Sequence, residues 1–274
     1  MRPKLAHQIL LFTALAAFTA VTLTPIAWGL LTSIKQPVDA FAVPPKLIFA
    51  PTLEFHHAIW VEKEFWRFLI NSIVIAVAVV LVSVPIGTMA AVALSRMQSG
   101  AARGILMALL AMRMFPYILL AIPFFVLARL AGLIDTYAAM VLAIVAINQP
   151  FTIWLMRSFF LDVPRELDEA AVIDGCSLWQ VFTKVALPIV RPGLWVTSLF
   201  SLLLAYNEFL FALVLTGPRT KTLPVAIAEY GAEDITYWSL SAAAAIGIMA
   251  PIVLFMMLLQ RHLVRGIAFG AVKG

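Results

Sequence analysis

Apolar residues run along this chain in long uninterrupted blocks, with polar residues gathered in the stretches between them. Leu5 to Ile34 holds no Asp, Glu, Lys or Arg. A bilayer core needs about 20 apolar helical residues, so one span is predicted at about 9–31. Phe68 to Ser95, bounded by Arg67 and Arg96, predicts a second at about 68–94. A third covers 104–128 and is interrupted by Arg113, and a fourth covers 137–156. The fifth, 193–216, contains Glu208, and the sixth covers 237–260. Pro25, Pro85, Pro116, Pro123, Pro150 and Pro251 lie inside these blocks. Lipid-embedded helices accept proline when neighbours satisfy the freed carbonyls. None of the blocks shows the short alternating strands of a barrel. The expected fold is all-α: six transmembrane helices in one domain, 1–274.

Composition supports this. Of the 274 residues 63% are apolar and 12% charged, where a soluble domain carries about a quarter charged. Disordered chains lack so much Leu, Val, Ile and Phe. One cysteine, Cys176, forms no intrachain disulfide. The first block is too long for a signal peptide's apolar region of about 7–15 residues, so it reads as a retained helix. The net charge of +5 fits Lys/Arg-rich cytoplasmic loops, and no basic stripe interleaved with aromatics points to nucleic acid. With both termini cytoplasmic, eleven Lys and Arg fall inside, seven outside, and Arg113 within a span. This leaves large external segments at 32–67 and 217–236, an internal segment at 157–192, and a tail at 261–274.

The internal segment carries its own pattern. Pro164 suits a helix's first turn, and Glu166, Asp168 and Glu169 put negative charge where the helix dipole favours it. Gly175 fits a left-handed stop, and Ser177 fits the next N-cap. Leu178, Val181, Phe182 and Val185 then recur at helical spacing until Pro188. Two short helices at about a right angle are predicted, too short to span and with an apolar stripe that must dock on something.

Glu169-Ala170-Ala171, three residues, Gly175, nine residues, then Val185-Ala186-Leu187-Pro188 resembles the "EAA" loop of bacterial ABC importer permeases. Val185 stands where isoleucine is commoner. Phe115-Pro116, the stretch 131–136, Asn207-Glu208-Phe209 and the tail 270–274 resemble the smaller permease subunit of maltose-type carbohydrate importers. The resemblance implies a type I importer permease in the bacterial inner membrane, paired with a second permease, an ATPase homodimer and an external solute-binding protein. ATP and Mg would be held by the ATPase and no cofactor by this chain. Coupling to the ATPase would involve Glu169, Ala170, Ala171, Asp174, Gly175, Leu187 and Pro188. Glu169 would make a polar contact, the alanines would allow close approach, and Gly175 would turn the chain. By the same resemblance, 265–274 reaches between the ATPase subunits and 217–236 contacts the solute-binding protein.

Ionisable groups inside spans usually face a bundle interior or water. Glu208, with Asn207 and Tyr206, is a candidate lining for a translocation path. Arg113 faces the same path, pairs with Glu208, or snorkels to the surface. Asn148 and Gln149 suit sugar hydroxyls and helix–helix hydrogen bonds equally. The alternative to an ATP-driven importer is an ion-coupled secondary transporter. That class often shows inverted repeats, and the two halves show no internal similarity. No nucleophile elbow, zincin helix or Walker lysine occurs, so no catalysis is expected. His56-His57 has no third ligand at zinc spacing.

Overall fold

The computed structural model describes residues 5–231 and 238–271, with side chains described only as far as 257 and not for residues 5, 6, 230 and 231. The described chain is predominantly helical, with no strand among the described residues. Apart from short helical turns at Pro37–Ala40, Glu54–His57 and Ala58–Glu62, the helices are α1 (Leu5–Ser33), α2 (Phe65–Arg96), α3 (Gly100–Met114), α4 (Tyr117–Leu130), α5 (Tyr137–Leu161), α6 (Arg165–Ile173) and α7 (Leu178–Ile189). They continue as α8 (Arg191–Tyr206), α9 (Leu210–Leu215), α10 (Leu223–Gly231) and α11 (Trp238–Ala271).

Four helices are long and apolar enough to cross a membrane singly: α1, α2, α5 and α11. The third and fifth predicted spans are not continuous rods. α3 and α4 meet at 93° across Phe115-Pro116. A residue before proline is driven out of the helical region, and Phe115 is extended (φ −69°, ψ 134°), so the helix ends at Met114. The fifth span stops at Tyr206 and resumes at Leu210. The remaining internal prolines stay within their helices, and the sixth span runs on as helix through residues placed in the tail.

Packing divides the chain into two units, Met1–Trp66 with Ile227–Ala250, and Arg67–Ala226 with Pro251–Gly274. In the first, the most apolar stretch of α1 buries no residue. Lys35 is buried, its ammonium over the rings of Trp28 (4.8 Å) and Phe49 (4.9 Å). A Cβ on Gly247 would lie 1.8 Å from the Trp60 ring, so only glycine permits that approach. His56 bonds to Ser33 Oγ at 3.2 Å, and burial lowers its pKa; His57 faces Glu62 instead.

The second unit packs α2, α5 and α8 closely. Lipid offers helices no hydrophobic drive to associate, so small residues that let backbones approach take over that role. A Cβ on Gly87 would come 2.4 Å from Thr152, and one on Gly193 2.4 Å from the Phe159 ring. Between α2 and α5, Ser83 and Thr152 hydroxyls meet at 3.2 Å. Ala91, Met156, Phe160, Val163, Ala186 and Val190 form a buried cluster where α2, α5 and α7 converge.

Candidate functional site

The segment between α5 and α8 folds as a helical hairpin whose caps come from the sequence. Pro164 precedes α6 with extended backbone. Gly175 takes φ +85°. Its N–H donates to Val172 O (3.0 Å) and the Cys176 N–H donates to Ala171 O (2.9 Å), which completes a Schellman stop. Ser177 caps α7 through its hydroxyl, and the Gln180 side chain returns to the Ser177 N–H at 2.8 Å. The second rod is not a regular α-helix. Val181–Ala186 widens into π-turns just before Pro188, which has no N–H and clashes with the carbonyl four residues back.

This hairpin is rooted at one end and bare at the other. Ala186 and Val190 are buried against α2 and α5, with Phe182 and Leu187 packed onto the same cluster. At the tip, Val172, Ile173, Leu178 and Trp179 are all exposed, Ile173 at 85%. Glu169 and Ala170 lie on the exposed side of α6 and Asp174 and Gly175 at the bend, whereas Ala171 is buried. Leu187 therefore serves the root rather than the tip, and Pro188 is half-buried beside it. A groove of about 640 Å³ lies between α2, α6 and α7, with Glu169, Ile173 and Leu178 among its lining.

Three arginines fix the root, and hydropathy alone did not reveal them. Helix C-termini leave unpaired carbonyls, which basic side chains satisfy well. Arg157 donates to Leu94 O (3.4 Å) and Arg165 to Ser95 O (3.4 Å), both at the end of α2. Arg96 reaches the other way, to Phe160 O (3.3 Å) and Val163 O (3.1 Å) at the end of α5. Its Nε also lies 2.7 Å from Asp168 Oδ2 on α6, an ion pair by distance without the alignment of a hydrogen bond. The available signal was positional, because Arg96 and Arg157 immediately follow apolar blocks.

The helix breaks meet elsewhere in the unit. A cavity of about 100 Å³ is lined by Arg113 and Tyr117 from the α3–α4 bend, Asn148 from α5, and Leu204 and Glu208 from the α8–α9 break, with Ile144 and Ile147. Arg113 stacks over Phe151 at 4.9 Å and is not paired with Glu208 among the described residues. Glu208 accepts a bond from Phe211 N–H (3.0 Å), capping α9. Tyr206 is buried and Asn207 is exposed, its amide donating to Leu203 O at 2.8 Å. Asn148 donates to Ser201 Oγ, and Gln149 donates to Ser83 O at 3.2 Å. Gln149 thus serves helix packing, while Asn148 both packs and lines the cavity.

A third cluster lies at the far ends of these helices. Asp135 accepts bonds at Oδ1 from Gly217 N–H (2.9 Å), Thr220 N–H (2.9 Å) and Thr220 Oγ1 (2.8 Å), and at Oδ2 from Arg219 N–H (3.2 Å) and Nε (3.3 Å). Burial raises its pKa, but these donors outweigh that and hold the carboxyl down at about 2. Gly217 is required because a Cβ there would lie 2.9 Å from the carboxylate. Asn71 donates to Arg219 O and Lys221 O and accepts from the Tyr137 hydroxyl at 2.6 Å. The stretch 131–136 now has local causes: Gly132 (φ +69°) ends α4, Asp135 clasps the loop, and Thr136 caps α5.

Residues 83–269 match the family described as the inner membrane component of binding-protein-dependent transport systems. The chain belongs to that family. It is 39% identical to a probable ABC transporter permease protein, y4oR, of Sinorhizobium fredii, over 96% of this chain and 94% of that one. It is 34% identical to the trehalose/maltose permease MalG of Thermococcus litoralis over the full length of both, and 34% to the trehalose permease SugB of Mycobacterium tuberculosis over 92% and 93%. Its fold matches a chain of a bacterial alginate ABC importer with a TM-score of 0.74 at 21% identity, over 95% of this chain and 98% of that one. The methionine transporter MetNI matches with a TM-score of 0.60 at 18% identity, over 76% and 97%. This permease is therefore an all-α type I importer subunit, multi-pass in the inner membrane, and a transport protein rather than an enzyme. Family membership decides against the ion-coupled alternative.

Proposed function

We propose that this permease forms half of the translocation pathway of an ATP-driven carbohydrate importer. A second permease supplies the other half, an ATPase homodimer holds ATP and Mg, and an extracytoplasmic solute-binding protein delivers the cargo. Both termini and the hairpin face the cytoplasm, consistent with the eleven-to-seven bias of basic residues. The observation that carries the reading is the hairpin itself. An apolar tip that protrudes from a charged, capped rod needs a partner groove, and its arginine-fixed root would pass a push into α2 and α5. Relatives named for trehalose and maltose support carbohydrate as the cargo class.

The cavity at the two helix breaks is the proposed path. Discontinuous spans commonly place polar groups at a transport site. Its volume of about 100 Å³ is below the 300 Å³ or more of a typical ligand pocket, so a sugar requires a more open state and the second permease's contribution. Arg113, Asn148, Glu208 and Tyr117 are the residues assigned to it; Tyr206, Asn207 and Gln149 lie outside its lining. The tail's residues 272–274, and the side chains of 265–271, lie outside the described residues, and insertion between ATPase subunits is carried over as part of this proposal. So is the contact of 217–236 with the binding protein.

Glu169→Lys tests the docking role. Membrane insertion and assembly of the permeases should persist, while transport and binding-protein-stimulated ATP hydrolysis fall at least tenfold. Normal uptake by this variant would refute the proposal.

A further inference from the structure

A cleft of about 750 Å³ separates the outer faces of α2, α7 and α8. Its wall is apolar along α2 (Val84, Pro85, Met89) and along α8 (Leu194, Trp195). Arg191 stands at one end, exposed and with no hydrogen bond or ion pair among the described residues. No carboxylate lines the cleft. Trp179 and Trp195 are exposed beside that end at 63% and 46%.

Depth decides what fits. Arg191 lies two residues outside the apolar block that begins at Gly193, and Arg96 marks the same limit on α2. Met89 and Val84 lie seven and twelve residues back along α2, about 10 and 18 Å into the hydrocarbon. The cleft therefore runs from headgroup level into the acyl region. Its one free cation is at the headgroup end, flanked by indoles, which favour the membrane interface. Guanidinium binds phosphate through a planar fork of donors. A soluble anion would use the charge and leave the apolar length empty.

We propose that this cleft binds one anionic phospholipid, its phosphate on Arg191 and an acyl chain along α2 and α8. The bound lipid touches both the hairpin, through Trp179, and the spans. It requires that the chain crosses a membrane; Trp179 is shared with the hairpin surface assigned to coupling, whereas Arg191 and the acyl length along α2 and α8 are not.

The test uses the purified transporter complex exchanged into mixtures of phosphatidylglycerol and phosphatidylcholine, with retained lipids counted by native mass spectrometry. Wild type should keep one phosphatidylglycerol per copy of this chain beyond the number kept by Arg191→Gln. Arg191→Lys should keep most of that occupancy. Ser198→Trp, which fills the deep end and leaves the charge, should also lose it, so the result does not rest on one variant. Equal retention of phosphatidylcholine by wild type, or an unchanged count in both Arg191→Gln and Ser198→Trp, would overturn the proposal. A crosslink from a cysteine at 195 to the second permease would also overturn it, since a protein then fills the cleft.

Discussion

At the scale of single residues, charge is used here mainly to hold backbone. Asp135 gathers three backbone N–H groups, a hydroxyl and a guanidinium, and so gives the 217–220 loop a fixed shape. A hydrogen bond to an ionised group contributes about 1.5–3 kcal/mol, and Asp135→Asn both weakens the set and turns a donor toward Arg219 N–H. The variant should lose amide hydrogen-exchange protection at Gly217, Arg219 and Thr220 by about tenfold or more at pH 7, while the amides of α5 stay protected. Since the folded carboxyl titrates at about 2, below its ordinary 3.8, the clasp contributes fully above pH 4 and is lost as pH falls toward 2. Wild-type protection should follow that window, and Asp135→Asn should show no such step. Equal protection in the two proteins at neutral pH would remove Asp135 from this role.

At the scale of elements, the question is what joins the hairpin to the spans. Core packing and the arginine bonds act on the same place, and the Arg96–Asp168 pair ties α6 to α2 directly. Each partner keeps about a fifth of its side-chain surface exposed, so breaking the pair should cost about 1–3 kcal/mol, less than for a fully buried pair. Asp168→Asn is expected to lower transport severalfold more than basal ATP hydrolysis, because the engine still turns while the rod slips. Restoration of the transport-to-hydrolysis ratio by Asp168→Glu, which keeps a carboxylate for Arg96 and leaves its bonds to Phe160 O and Val163 O in place, would show that the ionic contact is what matters. A uniform fall in both activities, with no rescue, would place Asp168 in general stability.

The same elements show how far the sequence can be read. Caps were legible because Gly175 and Ser177 act within a turn or two of themselves. The blocks 9–31, 68–94 and 137–156 correspond to long helices because span length is a local property. The bend at Phe115 was also written locally, in the restriction that Pro116 places on its neighbour, but hydropathy averages across it. Arg96 with Val163, Asn71 with Arg219 and Asn148 with Ser201 join residues far apart in sequence. No spacing rule reaches them, and the basic residues at block ends read as topology signals rather than as carbonyl caps.

At the scale of the whole molecule, the permease is a machine part. Among the described residues no cluster of His, Cys, Asp and Glu could hold a metal. Exposed apolar surface covers much of its helices, as expected where lipid replaces water. What distinguishes it from a passive bundle is the rooted hairpin with its bare tip, and the proposed coupling would enter there.

Site-directed crosslinking measures that entry most directly. In a Cys176→Ser background, a cysteine at Ile173, 85% exposed at the hairpin tip, is presented to an ATPase carrying cysteines around its surface groove, in the assembled complex during turnover. The account predicts one dominant crosslink from residue 173 to the ATPase, whose formation arrests transport and is reversed on reduction. Free solvent accessibility of that cysteine throughout turnover, with transport intact and no crosslink formed, would contradict it.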